Sequence, residues 1–317
     1  MSNLNASYLN FCEKVRLSKS KKENLITSRE ANRDRIRKYF KETLDKKSPD
    51  FFQQGSFSFK TTINPIDGEY DIDDGVYLQN LDDDFLTALK PETAQSWIAE
   101  AVENATKATV VFKSSCVRVI YANDYHIDLP VYGVKDDVTY LAHKKSNTWI
   151  ENDPKKFKDW FYEKLNDADE QLRRNIIYLK AWTDFNSLNK ISGVLITVLV
   201  CKNLVLKIER DDESLYETLK QIMSSLTLYR TVYMPVAPND NLLEKYNSTE
   251  VDEIINSFTK LKKSVEKAIN EKDESKAADY LISVFGDRFV FNGSDEMNER
   301  SHAFLPPVST PKPWCRE

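Results

Sequence analysis

Asp71 and Asp73 stand one residue apart in EYDIDDGVYL, residues 69–78. On a strand, alternate side chains share a face, so the two carboxylates project together. Like charges that close repel, and an ordinary core strand avoids the arrangement unless a cation neutralises it. Asp74 points the other way, as a solvated or helix-facing side chain. Upstream, Gly55-Ser56 sits where a strand turns into a helix start. Glycine lets backbone approach a ligand, amides at a helix start favour an anion, and the serine hydroxyl adds a donor. Downstream, Asp128 lies among Ile127, Leu129 and Val131, where a lone carboxylate has a desolvation cost unless it is paired or liganded. His126 is read as structural, facing the opposite side of that strand. Three converging carboxylates with a phosphate cradle suit two-metal phosphoryl chemistry. Each piece alone is weak: a D-x-D pair is more often surface charge. The three in this order are much rarer.

Elements that position these residues follow from periodicity. Ser28–Lys47 reads as a helix with Ile36, Tyr39, Phe40 and Leu44 on one face, capped by Ser28 and ended by Pro49. Glu69–Leu78 alternates as a strand, and Pro91–Thr106 is helical. Two further strands are expected, from Thr109 to Tyr121 and from Tyr125 to Val134. The segment KKSNTWIENDPKKFKDWFYEKL then reads as a loop entering a helix, with Pro154 in its first turn. Helical patterns dominate afterwards: Ala168–Phe185, Ser192–Glu209, Glu213–Leu228, Thr249–Glu271 and Ser275–Phe285. The fold class is therefore α+β, a mixed sheet with helices followed by an all-helical region. The end of the chain is polar and Pro-rich and reads as a mobile tail, with Trp314 as a docking candidate.

Composition narrows the function classes. The net charge of −5 argues against a protein whose main task is gripping duplex nucleic acid. The Lys and Arg cluster at 19–47 reads as a solvated helix face. Cys12, Cys116, Cys201 and Cys315 lie far apart without metal-ligand spacing, as expected of reduced thiols. The N-terminus lacks a signal-peptide pattern, and the longest apolar run, Val194 to Cys201, falls far short of the ~20 residues of a membrane span. A cytoplasmic protein is expected, with no membrane partner.

The motifs QQGSFSF, EYDIDDGVY, HIDLPVY, TWIENDPKKFKDWF, LRRNIIYLKAW and VFGDRF, in this order, resemble the bacterial cGAS/DncV-like nucleotidyltransferases, nearest the DncV branch. The resemblance implies a polymerase-β-like core in residues 1–150 with N-terminal helices, a helical lobe in 151–290 and a flexible tail in 291–317. The active site would lie in the cleft between core and lobe. It also implies two Mg²⁺ ions (Mn²⁺ a possible substitute) on Asp71, Asp73 and Asp128, with Asp128 also accepting the proton of the attacking hydroxyl. Gln54, Gly55 and Ser56 would contact donor phosphates, and Phe59 would lie near the nucleotides and stack on a base. Lys180 and Ser192 would reach the triphosphate, and Arg118 would contact the acceptor nucleotide. Substrates would be NTPs, ATP and GTP first. The product would be a cyclic dinucleotide, 3′,3′-cyclic GMP-AMP first, sensed by an effector protein in anti-phage (CBASS) signalling. A template-independent transferase making linear oligonucleotides or tagging an acceptor is the alternative. The segments before the Gly-Ser turn and after HIDLP are short. No Cys/His insertion like that of animal DNA sensors is present, so no obligate DNA activator is expected.

Overall fold

The computed structural model describes residues 2–103, 108–122 and 125–291. The chain runs α1 (Asn5–Val15), α2 (Lys19–Glu42), β1 (Asp50–Gln54), α3 (Gly55–Phe59), β2 (Tyr70–Tyr77), α4 (Phe85–Ala88) and α5 (Pro91–Glu103). Then come β3 (Thr109–Phe112), β4 (Val117–Tyr121), β5 (Tyr125–Leu129), β6 (Val131–Lys135), β7 (Val138–His143) and β8 (Thr148–Glu151). Five helices complete it: α6 (Pro154–Phe185), α7 (Gly193–Asn203), α8 (Asp211–Tyr229), α9 (Ser248–Asn270) and α10 (Glu274–Phe285).

β2 is the hub of a mixed sheet. It pairs parallel with β5 through Asp71↔His126 and Asp73↔Asp128, and parallel with β6 through Val76↔Val131. β1 lies antiparallel to it, with Gln54 opposite Asp73. β3 and β4 extend the sheet antiparallel beyond β5, and β7 and β8 beyond β6. The alternation of β2 is real: Tyr70, Ile72, Asp74 and Val76 are buried. The apolar members of that set pack with Ile36 and Phe40 of α2 and Ile98 and Val102 of α5 in one core. Asp71 and Asp73 face away from those helices, towards the cleft.

The second core is helical. α9 carries Val251, Ile254, Phe258, Leu261 and Val265 at three- and four-residue steps, and Asn247 with Glu250 forms a capping box at its start. α1 packs here too: Tyr8, Phe11 and Val15 join Tyr178, Phe285 and Phe289. The first helix of the chain therefore belongs by contact to the helical region and not to the sheet.

Several elements differ from the sequence reading. α2 begins at Lys19 and is capped by Ser18, whose side chain accepts from the Lys21 amide. Ser28 is inside the helix, and its hydroxyl meets that of Tyr125 at 2.8 Å. The stretch read as one strand from Thr109 is the β3–β4 hairpin, and the stretch from Tyr125 divides at Pro130, whose carbonyl accepts from the Val76 amide at 2.8 Å. The loop reading around KKSNTWIE is replaced by the β7–β8 hairpin, in which the polar KKSN forms the turn. α7 stops at Asn203 and not Glu209, because side chains of other helices capture the next amides: Thr218 accepts from Val205 and Gln171 from Lys207. The tail beyond residue 291, with Trp314 and Cys315, lies outside the described residues.

One ion pair fastens the sheet to α2. Arg33 donates to both oxygens of fully buried Asp74, at 2.7 and 2.6 Å. Removing one partner leaves a buried charge uncompensated, which typically destabilises by about 3–5 kcal/mol. Arg33→Ala is therefore expected to lower stability by about that amount in urea unfolding, and Arg33→Ala/Asp74→Leu to recover most of it.

Candidate active site

A cleft of about 550 Å³ opens between the sheet and the helical region. That volume falls within the roughly 300–1,000 Å³ of small-molecule sites. Its walls include Gly55, Ser56, Glu69, Asp71 and Asp73 from the sheet side, and Lys180, Thr183, Asp184 and Asn189 from the helical side.

The Gly-Ser turn is fitted to the carboxylates. Gly55 has φ +66°, and a Cβ there would stand 2.0 Å from Asp73 Oδ2. Both facts demand glycine. The Ser56 hydroxyl lies 2.8 Å from that of Thr62. The helical region holds this turn from the other side through α6. Tyr162 donates to the Ser58 carbonyl at 3.0 Å, Arg173 to the Phe59 carbonyl at 2.8 Å and Lys180 to the Thr61 carbonyl at 3.2 Å. Gly193 leaves room for Lys180, since a Cβ there would meet the lysine Cε at 3.2 Å.

Charge is unbalanced at this wall. Burial, with Asp128 adding repulsion, raises the Asp71 carboxyl above its ordinary range, and His126 pulls it partly back. Burial and the neighbouring Asp71 and Asp128 push Asp73 up well above its ordinary value. Both carboxylates therefore favour a nearby cation. Lys180 supplies one positive charge, but burial brings it from 10.5 down to about 8 against the pull of Asp71 and Asp73.

The remaining expected site residues fall less simply. Asp128 is buried and stands on the strand beside Asp73, but it is not part of the cleft wall. Arg118, opposite it on β4, grips both its oxygens at 2.8 Å. Arg118 is thus held on a carboxylate. Among the described residues no three Asp, Glu, His or Cys side chains are already drawn together as a metal-ligand set. The Gln54 side chain is turned to the Tyr132 hydroxyl at 3.0 Å and is not a cleft residue. Phe59 borders the cleft but is buried, stacked on Phe161 at 4.3 Å and edge-on to Phe157, so its ring serves packing. Ser192 caps α7 by accepting from the Leu195 amide at 3.3 Å and does not line the cleft.

His126 corrects an error of spacing. It is two residues from Asp128, so strand alternation puts the two on the same face and not on opposite ones. Its Nε2 lies 4.0 Å from Asp71 Oδ2 and 4.0 Å from Asp128 Oδ2. Glu69, two residues before Asp71, accompanies it, with its Oε2 2.7 Å from Nδ1. Both were legible in the same period of two that picked out Asp71 and Asp73. Asp184 had no such signal. It accepts from Arg288 of VFGDRF at 2.7 Å and from the Ile66 amide at 3.1 Å, a meeting of segments far apart in sequence.

The lowered Lys180 gives a pH signature. Below pH 8 both folded and unfolded chains hold the proton, and the cost of the buried charge is present in full. Between pH 8 and 10.5 only the unfolded chain holds it, so stability rises with pH through that window. Lys180→Met is expected to remove this rise. The check is the difference between the two proteins' urea midpoints across that range.

Comparisons with known proteins agree on one family. Residues 49–132 match the domain described as "Cyclic GMP-AMP synthase DncV-like, nucleotidyltransferase domain". A cyclic GMP-AMP synthase of Vibrio cholerae is 24% identical over 304 residues, covering 76% of this chain and 68% of that protein. A c-di-GMP synthase of Roseivirga ehrenbergii is 27% identical over 124 residues, 37% of this chain and 32% of that one. The structure of V. cholerae DncV with the linear intermediate 5′ pppA(3′,5′)pG shares the fold at a TM-score of 0.77 and 20% identity, over 91% of this chain and 96% of that one. Escherichia coli DncV in its 3′-deoxy GTP bound form gives a TM-score of 0.74 at 21% identity, over 87% and 93%. Residues 49–132, which hold the paired carboxylates and the glycine turn, are thus similar to the DncV-like nucleotidyltransferase domain, and the two-part architecture shares the DncV fold.

Proposed function

We propose that the protein joins two nucleoside triphosphates into a cyclic dinucleotide, with ATP and GTP as first substrates and 3′,3′-cyclic GMP-AMP as first product. The observation that carries this reading is the cleft wall where Asp71 and Asp73 meet the Gly55-Ser56 turn and Lys180 across from them. The names of the V. cholerae and E. coli relatives, both cyclic GMP-AMP synthases, support the product class.

The family implies a divalent metal, and the donor set fits one. Asp71 and Asp73 share a face, are held in place by strand pairing, and carry charge that burial and repulsion disfavour without a cation. Asp71, Asp73 and Asp128 would hold two Mg²⁺ ions, with Mn²⁺ as a substitute. Bound there, the ions would neutralise the triphosphate and lower the pKa of the attacking ribose hydroxyl.

The chain's own groups do the rest. The Gly55-Ser56 turn seats the donor phosphates, and Lys180 adds positive charge from the helical side. Arg118 fixes the Asp128 carboxylate, and Asp128 takes the proton of the acceptor hydroxyl. That oxygen bonds to the donor's α-phosphorus as the bond to the β-phosphate oxygen breaks and pyrophosphate leaves. The linear product turns over, and a second attack of the same kind closes the ring. Positioning and charge neutralisation supply the catalysis.

A product of this class acts by being sensed. We therefore assign a downstream effector protein as partner and cytoplasmic anti-phage (CBASS) signalling as the setting. Among the described residues no helix is long and apolar enough to cross a membrane.

Incubation with all four NTPs and Mg²⁺, then phosphatase treatment and mass spectrometry, is expected to yield a phosphatase-resistant cyclic species. Linear, phosphatase-sensitive oligomers would replace this reading with the oligonucleotide-extending alternative. Asp73→Asn is expected to lower product formation by about 100-fold or more. The same change removes a half-buried, repelled charge, so the melting temperature of the metal-free variant should equal or exceed that of the parent. Retained activity would remove Asp73 from the metal site.

A further inference from the structure

We propose that Arg288 is a positioning residue for the nucleotide cleft. From the far end of the helical region it holds the wall segment that joins the Gly-Ser turn to the carboxylate strand. The proposal rests on the nucleotide reading above and extends it.

That segment, residues 60–69, carries the wall residues Thr62, Ile63, Pro65 and Glu69. Apart from one isolated bridge, Ile63 with Arg16, it has no regular structure. Its outer part is exposed, and Gly68 stands in open space with φ +113°. A segment with so little packing of its own opens easily unless other elements hold it.

Arg288 supplies the hold. Its guanidinium donates to the Asn64 carbonyl at 3.0 Å, to the Ala181 carbonyl at 3.3 Å and to Asp184 Oδ2 at 2.7 Å. Asp184 in turn accepts from the Ile66 amide at 3.1 Å. Both neighbours of Pro65 are therefore clipped to one largely buried ion pair, and Asp184 is itself part of the cleft wall. All three bonds of the guanidinium end at or beside that wall, although its Nε is left buried without a partner. The surrounding chain fixes this aim. Gly286 turns at φ +78°, where a Cβ would stand 2.5 Å from the Phe185 ring. Phe285 and Phe289, on either side of Arg288, pack on Tyr8 and Phe11. The motif VFGDRF is thus accounted for as the mount of one arginine. Arginine suits the task because its fork reaches a carboxylate and carbonyls together, whereas lysine offers a single point charge.

The consequence is selective. Without Arg288 the incoming nucleotide must itself order the wall segment, and affinity falls by that ordering. Asp71 and Asp73 stay on their paired strand, so the step at phosphorus within a bound complex changes little.

Calorimetric titration of the full chain with α,β-methylene ATP and GTP in Mg²⁺ reads binding without turnover, and product assays read kcat and KM. Arg288→Met is expected to weaken binding and raise KM about 10-fold, with kcat per folded molecule within about threefold of the parent. Arg288→Lys should fall between the two, since it keeps the pair with Asp184 but not both carbonyl bonds. It carries the test alone should Arg288→Met fail to fold. Ile254→Val, in the core of α9 and away from the cleft, controls for lost stability and should leave KM unchanged. An unchanged KM in the folded Arg288 variants overturns the positioning role, whatever happens to their melting temperature, and leaves the nucleotide reading standing. A parent chain that binds neither analogue and makes no product overturns both.

Discussion

Two carboxylates on one face of one strand repel each other, and much of what surrounds β2 serves to keep them there. Strand pairing with β5 fixes the backbone of Asp71, and pairing with both β5 and β1 fixes that of Asp73. Burial worsens the repulsion, which shows in the raised carboxyls of both residues. The fold tolerates this because its opposite face is secure. Apolar side chains of β2 bury against α2 and α5, and Asp74 is neutralised by Arg33 within the same contact. Strain at one face is thus offset by packing at the other.

The helical region contributes position more than chemistry. α6 crosses the turn after Gly55 and ties the carbonyl groups of Ser58, Phe59 and Thr61 with Tyr162, Arg173 and Lys180. These three bonds couple the glycine turn to α6. Lys180 combines both tasks. It anchors the turn and carries a charge that burial weakens at the cleft wall. Arg288 extends the same tie from the end of α10 to Asp184 at the cleft wall.

Arg118 and His126 show how the third carboxylate is managed. Asp128 sits between a guanidinium on β4 and an imidazole on its own strand. The arginine satisfies both its oxygens, and the histidine leaves a nitrogen unsatisfied. One neighbour therefore stabilises the carboxylate through two hydrogen bonds, and the other stands 4.0 Å from it with no hydrogen bond.

What the residues alone determined was local. A period of two set Asp71 and Asp73 on one face and Asp74 on the other, and the same period held Glu69 and His126 in the set. Apolar steps of three and four marked the helices around the lobe core, although the hairpins β3–β4 and β7–β8 escaped because short polar turns there break the pattern. The glycine at 55 was legible as a close approach, but the atom approached, Asp73 Oδ2, was not. Tertiary structure alone decided the partners: Arg118 on Asp128, Gln54 on Tyr132, Phe59 against Phe161 and α1 in the helical core. The reason is physical. Which face a side chain takes is set by backbone geometry within a few residues. Which group it meets there depends on strand register and helix docking, and these depend on burial summed over the whole chain.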